Sequence, residues 1–456
     1  MNNVDPEILK RPTQERMELG KALRQDVSRR EHAEYRLRPD RRDPIEILEE
    51  SNLGRIPDLI PIRYGRMLAD PFAFLRGSAA LMAYDLAPTP TSGIQVQACG
   101  DCHLANFGLF ATPERHLVFD LNDFDETLPA PWEWDVKRLA ASFVVAGRVR
   151  GFSESECAEA VASMARSYRM NLRKYAKMRV LDVWYSRLDD KMLIEEAPTT
   201  EAREYRRRFA SKARASIAEY LFPKLTDLKD GHRRIVDKPP LIYHEPDQVT
   251  AEERILKLLA DYKESLPVHL RKLFDHYHFE DLAFKVVGVG SVGTFCYVVL
   301  FMADSDDPLI LQSKQARESV LEPYAGKSQF DHHGQRIVVG QRLMQSASDM
   351  FLGWLTTVDG THYYLRQLRD MKYSVPFETL KLSGIVNYAG VCGWVLARAH
   401  AKAGDAAMIA GYLGKNDTFD QALSKFAQAY ADQTAADHAA LVKAVKSGRV
   451  QARVES

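Results

Sequence analysis

Two chemistries overlap in the stretch Ala98-Cys-Gly-Asp-Cys-His-Leu-Ala-Asn106. Cys99, Cys102 and His103 spell C-x-x-C-H, the attachment pattern of c-type haem. Asp101 and Asn106 stand five positions apart, the spacing of a phosphotransferase catalytic loop. In such a loop the Asp receives the proton of an acceptor hydroxyl and the Asn holds metal. Four acids follow within seven residues: Asp120, Asp123, Asp125 and Glu126. Asn106 with Asp120 and Asp123 makes an all-oxygen set suited to a hard cation such as Mg²⁺, with Asp125 as an alternative ligand. A solvated acidic loop is the plain reading of the same residues.

The haem reading needs an exported protein, and the first residues, MNNVDPEILKRPTQERMELG, carry no apolar core of a secretion signal. The apolar run Tyr297–Ala303 is far shorter than the ~20 residues that span a bilayer. Five scattered cysteines do not form a disulfide framework. The expectation is a cytoplasmic protein in which Cys99 and Cys102 are small buried residues. Lys+Arg and Asp+Glu balance at 62 each, so no global field draws the chain to nucleic acid or membrane.

A second motif lies about 190 residues later, where Gly288-Val-Gly290-Ser291-Val-Gly293 is a G-x-G-x-x-G. A dinucleotide-binding turn requires a helix directly after the glycines. Here Thr294-Phe-Cys-Tyr-Val-Val-Leu-Phe301 follows, aromatic and β-branched, which predicts a strand. The turn ADSDDP then leads to Leu309–Ser313 and Lys314. Strand, glycine loop, strand, turn and strand with a terminal lysine is the protein-kinase order. Gly288, Gly290, Ser291 and Gly293 would let backbone N–H groups approach a triphosphate, and Lys314 would neutralise its oxygens. The acid that should pair with this lysine is expected at Glu318, with Glu322 and Asp331 as alternatives; a glycine-containing hairpin with a surface lysine is the plain reading.

These residues need elements to position them. At 456 residues, with 46% hydrophobic content, the chain has room for about two or three domains. Residues 1–60 are charged, with a helix expected over Glu15–Tyr35. The pattern predicts a helix over Phe72–Leu86, a strand at Ile94–Ala98, strands at Phe107–Phe110 and His116–Asp120, and a helix starting near Trp134. Residues 152–222 read as successive helices with a basic face at Arg203, Arg206, Arg207, Arg208, Lys212 and Arg214, taken as a solvated surface. A loop-like passage over 222–250 marks a boundary. Residues 333–347 read as helix, and Asp359-Gly360 closes a hairpin between Phe351–Val358 and His362–Leu368. The last 75 residues are helical and Ala-rich.

Gly100-Asp-Cys-His-Leu-Ala-Asn106 resembles the G-D-x-H-x-x-N loop of aminoglycoside phosphotransferases and related small-molecule kinases. The resemblance makes Asp120, which follows a short hairpin, the metal-binding Asp, and His103 a structural or substrate-side residue. Trp134-Asp135 with Leu139-Ala140 is similar to the helix start that follows in those enzymes; Cys99 stands where they usually carry His. The whole chain also resembles an uncharacterised bacterial family, the domain of unknown function numbered 2252. RYGRMLADPFAFLRG, CGDCHLANFG, FDLNDFDE, KVVGVGSVGT and LARAHAKAGD carry that likeness.

Kinases place the glycine loop and lysine before the catalytic loop, whereas this chain places them after it. The expected fold is therefore α+β, a circularly permuted protein-kinase-like fold of two lobes, one helical and one a small antiparallel β lobe. Residues 61–240 would form most of the helical lobe, 250–370 the nucleotide-binding β lobe, and 376–448 helices that return to the helical lobe. The hinge falls near Leu368–Tyr373, and the helix Tyr388–Ala401 stands in for the one that normally precedes the catalytic loop. The expected function is ATP-dependent phosphoryl transfer to a small-molecule or protein hydroxyl, with ATP and Mg²⁺ bound. AMP transfer by the same cradle and a nucleotide-binding pseudokinase are the alternatives. Arg63, Arg66 and Arg76 would meet an anionic substrate or pair with the acids of the site.

Overall fold

Asp70-Pro71 starts a helix upstream of the Gly100–Asn106 loop, because Pro71 fits the first helical position and Asp70 accepts the Ala73 N–H at 2.8 Å. The computed structural model describes residues 6–229, 231–244, 258–368 and 371–454. The single helix expected over Phe72–Leu86 is two, Pro71–Gly77 and Ala79–Leu86. Its ladder breaks at Ser78 (φ −118°, ψ 39°), and the Gly77 carbonyl turns to the buried guanidinium of Arg63, 2.8 Å away. The helix expected over Glu15–Tyr35 runs only from Thr13 to Ala22, followed by short 3-10 turns.

The architecture is α+β, helices with small antiparallel sheets. Four long helices, Trp132–Val149, Glu154–Tyr175, Leu382–Ala403 and Thr418–Lys446, share the largest apolar core. Ser153 and Glu156 cap the second of these reciprocally. At Gly393 it meets the third so closely that a Cβ would lie 2.2 Å from the Met164 carbonyl oxygen. The charged N-terminal segment is packed, not free: Ile45 and Leu48 bury against Tyr64, Leu441 and Val450.

Strands β1 (Gln95–Ala98) and β4 (Leu128–Pro131) pair with each other. Strands β2 (Phe107–Ala111) and β3 (Leu117–Leu121) form a hairpin that β13 (Tyr373–Ser374) extends. Hairpin β5 (Thr226–Lys229) and β6 (His232–Ile235) occupies the passage read as loop. The largest sheet orders its strands β11 (Gly353–Thr356), β12 (His362–Gln367), β10 (Pro308–Gln315), β9 (Cys296–Met302), β8 (His278–Lys285) and β7 (Ile242–Tyr243). Its first strand in the chain, β7, lies inside the passage 222–250 expected as a boundary. Residues 250–257 of the expected β lobe, and 369–370 of the expected hinge, lie outside the described residues. Every pairing is antiparallel and a strand follows the glycines, which removes the dinucleotide-turn reading.

Candidate active site

The loop after β1 is held from behind. Asp135, in the first turn of the Trp132–Val149 helix, accepts the backbone N–H groups of Cys99 (2.7 Å) and Gly100 (3.0 Å). His400 Nε2 stands 3.2 Å from Asp135, and His400 Nδ1 lies 2.7 Å from the Tyr168 hydroxyl. Gly100 has φ +86°, and a Cβ there would sit 2.3 Å from the Glu126 carbonyl oxygen, so no other residue fits. Asn106 Nδ2 donates to the Asp101 carbonyl at 2.7 Å, which leaves its own side-chain oxygen to the cavity.

Asp101 accepts from Arg138 Nε at 2.6 Å, and its other oxygen is 3.8 Å from His103 Nε2. Burial pushes the Asp101 carboxyl up to about 7; Arg138 opposes the shift and Asp123 adds to it. A carboxylate poised there suits proton acceptance near neutral pH. His103 is 3% exposed, and burial, with Arg76 and Arg138 nearby, holds its imidazole neutral well below the usual range. Cys99 and Cys102 are free and fully buried, and burial pushes the Cys102 thiol well up. Neither sulfur is open to a haem vinyl group, so the C-x-x-C-H pattern has no access for that chemistry.

The acids after β3 separate into distinct roles. Asp120 is not brought to the cavity. It is fully buried, its oxygens 2.7 and 2.9 Å from Arg398 Nη2, and it accepts the Ser346 N–H and hydroxyl at 2.8 Å. Both of its oxygens are engaged by protein donors, and it is not on the cavity lining. Asp123, Asp125 and Glu126 do line the cavity. Glu126 accepts the Val320 N–H at 2.8 Å, and burial raises its carboxyl.

Lys314, on β10, points inward and is 4% exposed. Its partner is none of the three acids expected. Glu318 is exposed and lines the cavity without reaching the lysine, and Glu322 and Asp331 do not pair with it either. Lys314 Nζ instead lies 2.6 Å from Asp125 Oδ2, and Tyr364 donates its hydroxyl to Asp125 Oδ1 at 2.6 Å. Burial disfavours both charges, but their attraction outweighs it, holding Asp125 below and Lys314 well above their ordinary values. The helix His333–Met344 contributes Arg336, which donates to the backbone carbonyl of Asp125 at 2.8 Å.

The glycine loop closes over the same cavity. Ser291 Oγ lies 3.2 Å from Asp125 Oδ2, and Gly288, Gly290 and Ser291 line the cavity. Gly293 lies outside that lining; its carbonyl accepts the Ile56 N–H at 2.8 Å and fixes the end of the loop. Gly288 and Gly293 have φ of +60° and +85°. Among the described residues, the N–H groups of Gly288, Val289, Gly290 and Ser291 donate to no backbone carbonyl.

The cavity measures about 320 Å³ and brings together Asp101, His103, Asn106 and Asp123 with the glycine loop. Among the described residues no group of three or more His, Cys, Asp or Glu is arranged to hold a metal by itself. Asn106 and Asp123 nevertheless fit Mg²⁺, which is commonly held by one or two carboxylates plus substrate phosphates. Arg138, central to this geometry, was not singled out by its sequence neighbourhood; Asp125 was expected as an alternative metal ligand, not as the partner of Lys314. No helix among the described residues is long and apolar enough to cross a membrane.

A family model described as an uncharacterized protein conserved in bacteria matches residues 55–444. No curated protein and no solved structure matches the chain.

Proposed function

The chain belongs to that bacterial family, DUF2252, and for it we propose an ATP-dependent phosphotransferase on a circularly permuted kinase-like fold. One observation carries the reading. Two motifs about 190 residues apart in sequence, Asp101/Asn106 and Gly288–Ser291, line one cavity, which Asp123 lines as well. The strand order of the motif supports it as well: the glycine loop joins β8 to β9, and the inward lysine sits on β10, next to β9.

On this reading Asp101 receives the proton of the acceptor hydroxyl. The hydroxyl oxygen forms a bond to the γ-phosphorus as the bond from that phosphorus to the β–γ bridging oxygen breaks, and ADP leaves with that electron pair. Asp135 fixes the loop that carries Asp101, and the free loop N–H groups bind phosphate oxygens. A Mg²⁺ ion held by Asn106 and Asp123 would neutralise phosphate charge.

Calorimetric titration of ATP, with and without Mg²⁺, into wild type and Lys314→Ala tests the reading. Magnesium-dependent binding weakened by the substitution is expected; absence of binding to folded wild type would sink it. Incubation with ATP labelled at the α or γ phosphate then separates AMP transfer from phosphoryl transfer. A second reading, a nucleotide-binding pseudokinase, draws on the Lys314–Asp125 pair, which stands where kinases use a helix glutamate. Stoichiometric binding without transfer of either label would favour it.

A further inference from the structure

Four charged side chains of the cavity lining already have partners: Arg42 and Glu50 pair with each other, Asp101 with Arg138, and Asp125 with Lys314. Four arginines on its lining do not. Arg55, Arg63, Arg76 and Arg317 line the cavity, yet among the described residues none has a carboxylate within ion-pair distance. Arg55 donates to the Ser51 and Val292 carbonyls, and Arg317 to those of Ser51 and Leu53. Arg63 is 2% exposed and is held by Ser51, Asn52 and the Gly77 carbonyl, all neutral. Its Nε is buried without any partner, as is that of Arg76.

A buried charge without a counter-charge is costly, and a fold keeps one where a ligand supplies the opposite sign. The crowding here is mutual: burial first, then the charges of Arg63 and Arg317, lower the Arg55 guanidinium well below its ordinary value. Guanidinium groups present paired N–H donors that match phosphate oxygens. The place of Arg76 puts the phosphate on the acceptor side. Arg76 belongs to the Pro71–Gly77 helix, whose Phe72 ring packs edge-on against His103, two residues past Asp101. The nucleotide phosphates have their own donors in the loop N–H groups.

We propose that Arg55, Arg63, Arg76 and Arg317 form an oxyanion subsite that takes a phosphate ester carried by the acceptor. The acceptor is then an already phosphorylated alcohol whose free hydroxyl reaches Asp101. This assignment rests on the phosphoryl-transfer reading of the cavity; the oxyanion subsite itself does not. Among the described residues Arg63 and Arg76 pair with none of the acids, and Arg66 donates to the Gly288 carbonyl.

The test is calorimetric titration of inorganic phosphate into the full chain, alone and with saturating Mg²⁺ and a non-hydrolysable ATP analogue. Phosphate is expected to bind in both cases. Arg76→Gln, which breaks no hydrogen bond or ion pair of the described structure, is expected to weaken it at least tenfold while nucleotide affinity changes less than twofold. Arg317→Gln, checked for folding by its melting curve, is expected to do the same. Phosphate displaced by the analogue would overturn the proposal, because the arginines would then hold the nucleotide. No phosphate binding to folded wild type would also overturn it. Phosphate binding that needs Arg76 in a protein that binds no nucleotide would keep the subsite and overturn its assignment to an acceptor.

Discussion

Lys314 Nζ and Asp125 Oδ2 lie 2.6 Å apart although 189 residues separate them in sequence. The pair ties the sheet that carries the glycine loop to the segment Asp123-Phe124-Asp125. The candidate metal ligand and the acid that orients the lysine therefore sit two residues apart on one short stretch, and the Ser291 hydroxyl touches the same carboxylate.

Breaking this pair from one side leaves a buried charge alone. Lys314→Met is expected to cost roughly 3 kcal/mol, the lower end for a buried pair, because a quarter of the Asp125 side chain is exposed. Adding Asp125→Asn should recover part of the loss, giving a coupling of about 2 kcal/mol in urea denaturation of the four proteins. Additive losses would mean that the two side chains do not interact.

Asp120 and Asp123 separate stability from ligand binding. Asp120→Asn removes the carboxylate charge that faces Arg398 and is expected to lower stability by about 3–5 kcal/mol. At a temperature where that variant stays folded, magnesium-dependent ATP binding should be unchanged. Asp123→Asn should leave the melting temperature nearly as it is and abolish the magnesium dependence. The reverse pattern would return the metal to Asp120.

Asp101 should titrate near neutral pH. In protein labelled with ¹³C at aspartate carboxyls, one resonance is expected to move with a midpoint near 7 and to vanish in Asp101→Asn. Arg138→Gln removes the cation that opposes burial, so the midpoint should rise. The sign for stability follows: the fold holds this proton more tightly than the unfolded chain, whose aspartates titrate at about 3.9. Stability contributed by the protonated group is complete below that value and is lost as pH rises towards 7. A midpoint near 4 would remove Asp101 as a base poised for neutral pH.

Local signals were legible. The hairpin turn at Asp359-Gly360 appears where expected, with Gly360 at φ +83°, as do β2, β3 and the strand after the glycines. The break at Ser78 was hidden because the apolar pattern runs straight through it, and the cause lies in Arg63. The facing of the acids was hidden for another reason. Strand β3 is buried at all five positions, so alternation gives no hint of which side Asp120 takes. Its partners Ser346 and Arg398 stand 226 and 278 residues further on, beyond any local rule. The acid for Lys314 was sought close by in sequence, whereas tertiary packing supplies it from the opposite direction.

The helix Leu382–Ala403 holds three supports of the candidate site at once: Tyr388 bonds the Leu104 carbonyl, Arg398 bonds Asp120, and His400 faces Asp135. A ribosome makes the loop first and this helix more than 260 residues later. Through that interval Asp120 lacks Arg398 and Ser346, and Asp135 lacks His400, so the earliest-made part of the site is among the last to be fully braced. A chain terminated before this helix then carries the loop without Tyr388, Arg398 and His400 behind it.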